Sequence, residues 1–195
     1  MTVFKTMTNQ IEVDKQLFTA LSECKSDDKT RFFMTEAYYE KAGNRISSTD
    51  GRRLFTYNFT EENDLTEGFY IPVKQGKKFF FFHKEDMEGT YPNIDRVVPE
   101  DDLITEYKFT FCSQIDKCSR DIYLMFLVSG PININYLKPV HGIPVTCSYT
   151  LDPNKAIILS DDSNWQYIIM PMQDTDITKS AEAALLDIHK AKLGK

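Results

Sequence analysis

Apolar residues recur at helical spacing in only two stretches of the 195-residue chain. In residues 14–25, Leu17, Phe18, Leu21 and Cys24 stand at i, i+1, i+4 and i+7 behind Asp14, whose carboxylate suits a helix N-terminus. This spacing predicts an amphipathic helix lying on another layer. Residues 174–195 lack aromatic side chains, are rich in Ala, Lys and Leu, and bring Ile177, Ala181, Ala184, Leu185 and Ile188 to one face. They predict a terminal helix that docks this stripe on the protein or on another subunit, because an isolated helix of this length is marginal in water. Its polar face mixes Lys179, Lys190 and Lys192 with Glu182 and Asp187 and carries no Trp or Phe, which argues against membrane insertion.

Between these helices the chain is a succession of short apolar and aromatic runs separated by Gly, Asn and Asp. Strands are predicted over 31–40, 45–49, 53–59 and 69–73 in the first half, and over 106–112, 121–128, 144–151, 156–160 and 165–170 in the second. Phe79, Phe80, Phe81 and Phe82 are consecutive, so as a strand they point to both faces in turn and predict burial on both sides. With Lys74, Lys77 and Lys78 beside them they would also suit stacking on single-stranded nucleic acid, a reading the alternation disfavours. Pro92, Pro99 and the run Glu100, Asp101, Asp102 interrupt regular pairing and place a domain junction near residue 100. The expected units are 1–99, 100–174 and the terminal helix at 175–195.

Composition adds limits. With 42% hydrophobic, 27% charged and 13% aromatic residues, the chain can bury a core and is not disordered. Its longest apolar run, 122–128, is far short of the ~20 residues of a membrane span, and the N-terminus has no apolar signal core. Four irregularly spaced cysteines in a chain of this size suggest reduced thiols in the cytoplasm rather than a disulfide scaffold. The net charge of −6, from 29 acidic and 23 basic residues, disfavours a nonspecific nucleic-acid coat but leaves room for a local basic face. No metal site is expected, since His83, His141 and His189 lack partners at ligand spacing, and the spacing of Cys112 and Cys118 fits neither a redox pair nor a zinc knuckle. Without a phosphate-binding loop, a nucleophile elbow or a dinucleotide fingerprint, no enzyme and no cofactor is indicated.

Three stretches resemble the bacterial β sliding clamp family, the processivity subunits of DNA polymerase III. They are Asn44-Arg45-Ile46-Ser47-Ser48-Thr49-Asp50-Gly51-Arg52-Arg53-Leu54, then Gly89-Thr90-Tyr91-Pro92-Asn93-Ile94-Asp95-Arg96-Val97-Val98-Pro99, and Tyr167-Ile168-Ile169-Met170-Pro171-Met172. Their order and the texture between them match from about residue 11 to 173. The resemblance implies an α+β fold of two reduced clamp-like domains, with antiparallel sheets, few short helices and an added C-terminal helix. It implies a non-catalytic accessory role, and a pocket where partner proteins of replication or repair insert a short extended motif with apolar anchors. Carried over by position, that pocket comprises Arg31 and Met34 from the strand after the first helix, and Thr49, Gly51, Arg52, Arg53 and Leu54 from the first motif. Pro92, Arg96 and Val97 from the junction join Ile168, Met170, Pro171 and Met172 from the last. Leu, Val, Ile and Met offer a deformable apolar floor, and Arg on the rim suits peptide carbonyls or acidic groups.

The departures are as informative. The chain begins at what would be the second of the family's three domains, and little sequence is left for the helices that line the DNA channel: only Gln75-Gly76-Lys77-Lys78 after Lys74, and one or two turns around 112–120 and 135–142. Arg52 replaces a usual His and Ile94 an aromatic. Double-stranded DNA contact would fall to Lys15, Lys25, Lys74, Lys77 and Lys78. A ring of two-domain subunits remains geometrically allowed. The competing expectation is a decoy that keeps the pocket, forms no ring and competes for clamp-binding partners.

Overall fold

Asp14 caps the predicted helix. Its carboxylate accepts from Leu17 N at 2.7 Å, and α1 (Lys15–Glu23) buries Leu17, Ala20 and Leu21. The computed structural model describes residues 1–87, 89–98, 105–110, 132–149, 155–161 and 164–171, with backbone alone for 105–110, 134 and 149. Among these residues α1 is the one α-helix; three 3-10 helices accompany it, η1 (Lys29–Met34), η2 (Ile94–Val97) and η3 (Ile134–Val140).

The strands are β1 (Val3–Met7), β2 (Gln10–Val13), β3 (Ala37–Glu40), β4 (Arg45–Thr49), β5 (Arg53–Asn58), β6 (Gly68–Gln75), β7 (Lys78–His83), β8 (Thr105–Thr110), β9 (Pro144–Tyr149), β10 (Ile157–Ser160) and β11 (Trp165–Ile169). All pair antiparallel in one sheet, ordered β1-β2-β7-β6-β3-β4-β5-β11-β10-β9-β8. The two halves of the chain therefore join at β5 and β11, where Leu54 lies opposite Ile168 and Phe55 opposite Tyr167. One face, carrying Ile46, Phe55, Tyr57, Phe81, Trp165 and Tyr167, packs on α1 and η3 as the main core. The phenylalanine strand is covered by α1 on one face, where Phe79 and Phe81 meet Phe18 at 5.0 and 5.5 Å between centroids. On the other face Phe80 is buried but its neighbour Phe82 is half-buried and borders an open recess, so burial is less complete there than expected.

Several expectations change. Residues 31–36 are not strand. Ser26 Oγ accepts from Asp28 N, and Asp28 in turn accepts from Thr30 N and Thr30 Oγ1, so local side-chain bonds wind the backbone into η1 and β3 starts only at Ala37. The β1–β2 hairpin is an addition that the sequence did not predict. β6 runs to Gln75 and turns directly into β7, with Gly76 at the positive φ (59°) a two-residue hairpin loop requires, so no helix intervenes there. Residues 135–142 likewise hold only η3 and a turn. The junction near residue 100, the strand at 121–128, the helix at 174–195 and Cys112, Cys118 and His189 lie outside the described residues. Cys24 and Cys147 are unpaired and buried, and burial pushes both thiols up to about 12. No described helix is long and apolar enough to cross a membrane.

Candidate functional site

On the face of the sheet away from α1, alternate residues of β3, β4, β5, β11 and β10 form a continuous surface. Tyr38 lies opposite Ser47, Ser47 opposite Thr56, Thr49 opposite Leu54, Leu54 opposite Ile168 and Ile168 opposite Ile158. Segment 91–98 crosses this surface like a strap. Tyr91 stacks on Tyr38 with centroids 5.0 Å apart and planes 7° apart. Ile94, 8% exposed, packs with Leu54, Ala156, Ile158 and Ile168. Asn93 caps η2 by accepting from Asp95 N, and the Asp95 carboxylate receives Arg45 Nη1 at 2.7 Å and Nη2 at 3.1 Å.

Where the strap meets the loop between β4 and β5, a cavity of about 100 Å³ opens, a volume suited to one or two anchoring side chains. Its floor is Leu54 and Ile168. Pro92, Asn93, Ile94 and Val97 of the strap form one wall, Met34 and Met170 add thioethers, and Thr49, Gly51, Arg52 and Arg53 complete the rim. The loop is held from within: Thr49 Oγ1 donates to Arg53 O at 2.7 Å and accepts from Gly51 N, while Asp50 Oδ1 accepts from Arg52 N and Arg53 N. Gly51 sits at φ 85°, and a Cβ there would stand 3.2 Å from Arg31 Nη1, so glycine both permits the turn and lets Arg31 approach. Met170 N donates to Arg52 O at 2.8 Å, tying the end of β11 to the same loop.

Charge is distributed unevenly around the cavity. Arg53 is bound inward: Nε donates to Asp50 Oδ2 at 2.9 Å, Nη2 donates to Glu23 O at the end of α1, and Cζ lies 4.6 Å from the Tyr136 ring centroid. Arg31 lies 3.9 Å from Asp28, while the exposed Arg52 and Arg96 have no ion-pair partner among the described residues. The hydrogen bonds from Arg45 hold the Asp95 carboxyl below the usual carboxylate range, so the Asp95 charge is directed at Arg45.

Of the fourteen residues singled out in the sequence, Met34, Thr49, Gly51, Arg52, Arg53, Leu54, Pro92, Val97, Ile168 and Met170 line this cavity. Arg31 stands beside it on η1 instead of on a strand. Arg96 is exposed on η2, Pro171 is half-buried past Met170, and neither lines the cavity; Met172 lies outside the described residues. Sequence reading missed Asn93 and Ile94, whose signal was an Asn in capping position before an apolar residue. Of the lysines, Lys25 pairs with Glu36 at 3.2 Å and Lys78 with Glu12 at 2.9 Å; Lys15, Lys74, Lys77 and also Lys78 are exposed. A larger, more open recess of about 730 Å³ lies between the β1–β2 turn, Phe82 and the acidic stretch Glu62, Asn63 and Asp64. Among the described residues no cluster of His, Cys, Asp and Glu could hold a metal ion.

An antiparallel sheet that runs unbroken through two halves of a chain, with helices on one face, is the architecture of bacterial DNA sliding clamps, and this chain has that fold with few, short helices among the described residues. Among solved structures it is similar to the DNA polymerase III β subunit of Thermotoga maritima, with a TM-score of 0.51 at 14% identity over 88% of this chain and 69% of that one. The sliding clamp of Bacillus subtilis gives 0.56 at 14% over 90% and 66%, and the Helicobacter pylori β clamp, solved bound to a DNA ligase peptide, gives 0.52 at 11% over 87% and 67%. The chain thus spans about two thirds of the length of these clamps. No family model and no curated protein matches its sequence.

Proposed function

We propose that this chain is a clamp-like accessory protein of DNA replication or repair that captures partner proteins by seating an apolar anchor of an extended peptide in the cavity over Leu54 and Ile168. The observation that carries this reading is the cavity itself: Met34, Leu54, Val97 and Ile168, distant in sequence, enclose one small apolar space under an arginine rim. The ligase peptide on the Helicobacter pylori clamp is a precedent on the same fold. Leu and Met give a floor that adapts to a Leu or Phe anchor, while Arg31, Arg52 and Arg96 suit carbonyls or acidic flanks. The reading takes 1–99 and 100–174 as two clamp-like units.

A peptide of the Gln-x-x-Leu-Phe type is expected to bind with a dissociation constant on the order of micromolar, about 8 kcal/mol, as befits a small apolar site with few polar contacts. Leu54→Asp should abolish binding by placing an unpaired charge in the floor. Met170→Asp should weaken it strongly while leaving the fold intact, because Met170 is 37% exposed. Titration by calorimetry or fluorescence anisotropy checks both, and a folded Met170→Asp protein that binds like the parent overturns the assignment.

A second reading, a competitor for clamp-binding partners that encircles no DNA, is favoured by the net charge of −6 and by the engagement of Lys25 and Lys78 in ion pairs. Solution mass by light scattering, with and without primed circular DNA, separates the two. A closed assembly retained on the circle supports the clamp, and a monomer not retained supports the competitor.

A further inference from the structure

Outside its own 3-10 turn, strap segment 91–98 makes no backbone hydrogen bond to any other described residue, so among these residues side chains hold it on the sheet. Tyr91 on Tyr38 and Ile94 in the apolar cluster press it down, but apolar contacts are non-directional and tolerate sliding. Among the described residues the polar tie is Asp95. Both of its oxygens receive the Arg45 guanidinium fork, and Arg45 Nε is held from the other side by Glu40 Oε2 of β3. A bidentate Arg–carboxylate pair fixes orientation as well as distance; here the Asp95 side chain is 66% exposed, but its arginine is only 18% exposed and already oriented by a second carboxylate. Asp95 stands between Ile94 and Val97, which both line the cavity, while its own side chain points away to Arg45.

We propose that Asp95 is a positioning residue: through Arg45 and Glu40 it sets where the strap stands over Leu54 and Ile168, and hence how well the cavity is preformed for its peptide, without touching that peptide. The inference rests on the peptide-binding reading above. Once the tie is lost, the wall must be ordered at the moment of binding, and that ordering is subtracted from affinity.

The test compares the parent with Asp95→Ala, Asp95→Glu and Arg45→Lys, using the same Gln-x-x-Leu-Phe peptide and backbone NMR order parameters of residues 93–98. Asp95→Ala is expected to weaken binding about tenfold and to lower the order parameters in the strap while those of β4, β5 and β11 stay as in the parent. Asp95→Glu, which keeps the carboxylate, should recover most of the affinity. Arg45→Lys, which keeps the charge but cannot offer a fork to Asp95 while bonding Glu40, should behave like Asp95→Ala. If the parent binds but Asp95→Ala binds equally well, the inference is wrong and the site stands. A parent that binds no peptide overturns the site and this inference together. Order parameters that fall across the whole sheet, with Asp95→Glu failing to rescue, would mean that Asp95 serves stability alone and also overturns the inference.

Discussion

Phe55→Ala is expected to lower the unfolding free energy by about 3–5 kcal/mol, the range for removing a fully buried large aromatic side chain. Phe55 is 0% exposed, lies opposite Tyr167 across the β5–β11 seam, and stacks on Trp165 with centroids 5.7 Å apart and planes 19° apart. Truncation leaves a cavity where the first half of the chain meets the second. Trp165 is the only tryptophan and sits on β11, so its fluorescence reports the second half while far-UV circular dichroism reports the whole sheet. In urea both signals should move together to a lower midpoint, because the sheet is continuous through the seam. A fluorescence midpoint that stays in place while the dichroism shifts would mean that the halves unfold separately.

Arg53→Ala should destabilise the protein by about 3 kcal/mol, the scale on which breaking one partner out of a largely buried ion pair is felt. The Arg53 and Asp50 side chains are only 12% and 17% exposed, so the carboxylate left behind stays desolvated. The same guanidinium bonds the Glu23 carbonyl at the C-terminal end of α1, whose own last turn carries no basic residue. It also covers the Tyr136 ring of η3. One side chain thus ties α1, the β4–β5 loop and η3. Arg53→Lys should recover part of the loss, since it keeps the charge but not the fork. A urea midpoint for Arg53→Ala within a few tenths molar of the parent would show these contacts to be energetically minor.

Much of the site was legible because its residues lie in stretches where local pattern and local structure agree. Asp50 and Gly51 read as the break between the strands predicted at 45–49 and 53–59, and the side chains of Thr49 and Asp50 close that turn in the structure. Arg31 and Met34 fall in the run 31–40, whose apolar and aromatic residues predict a strand. The capping bonds of Ser26, Asp28 and Thr30 wound them into η1 instead, which is how Met34 reaches the cavity. Asp95 could not be singled out from sequence, because its meaning depends on Arg45, fifty residues away.

The sequence by itself determined a strand-rich chain with one capped amphipathic helix, a phenylalanine strand and shortened connections, because period-2 and period-3.6 patterns, turn residues and caps act over a few residues. Only the tertiary structure decided that the strands of both halves form one sheet joined at β5 and β11, that segment 91–98 straps across its outer face, and that a cavity remains where strap, loop and β11 meet. Those features are pairings between residues up to more than a hundred positions apart. They are chosen by the burial of whole faces against each other, which no local periodicity encodes.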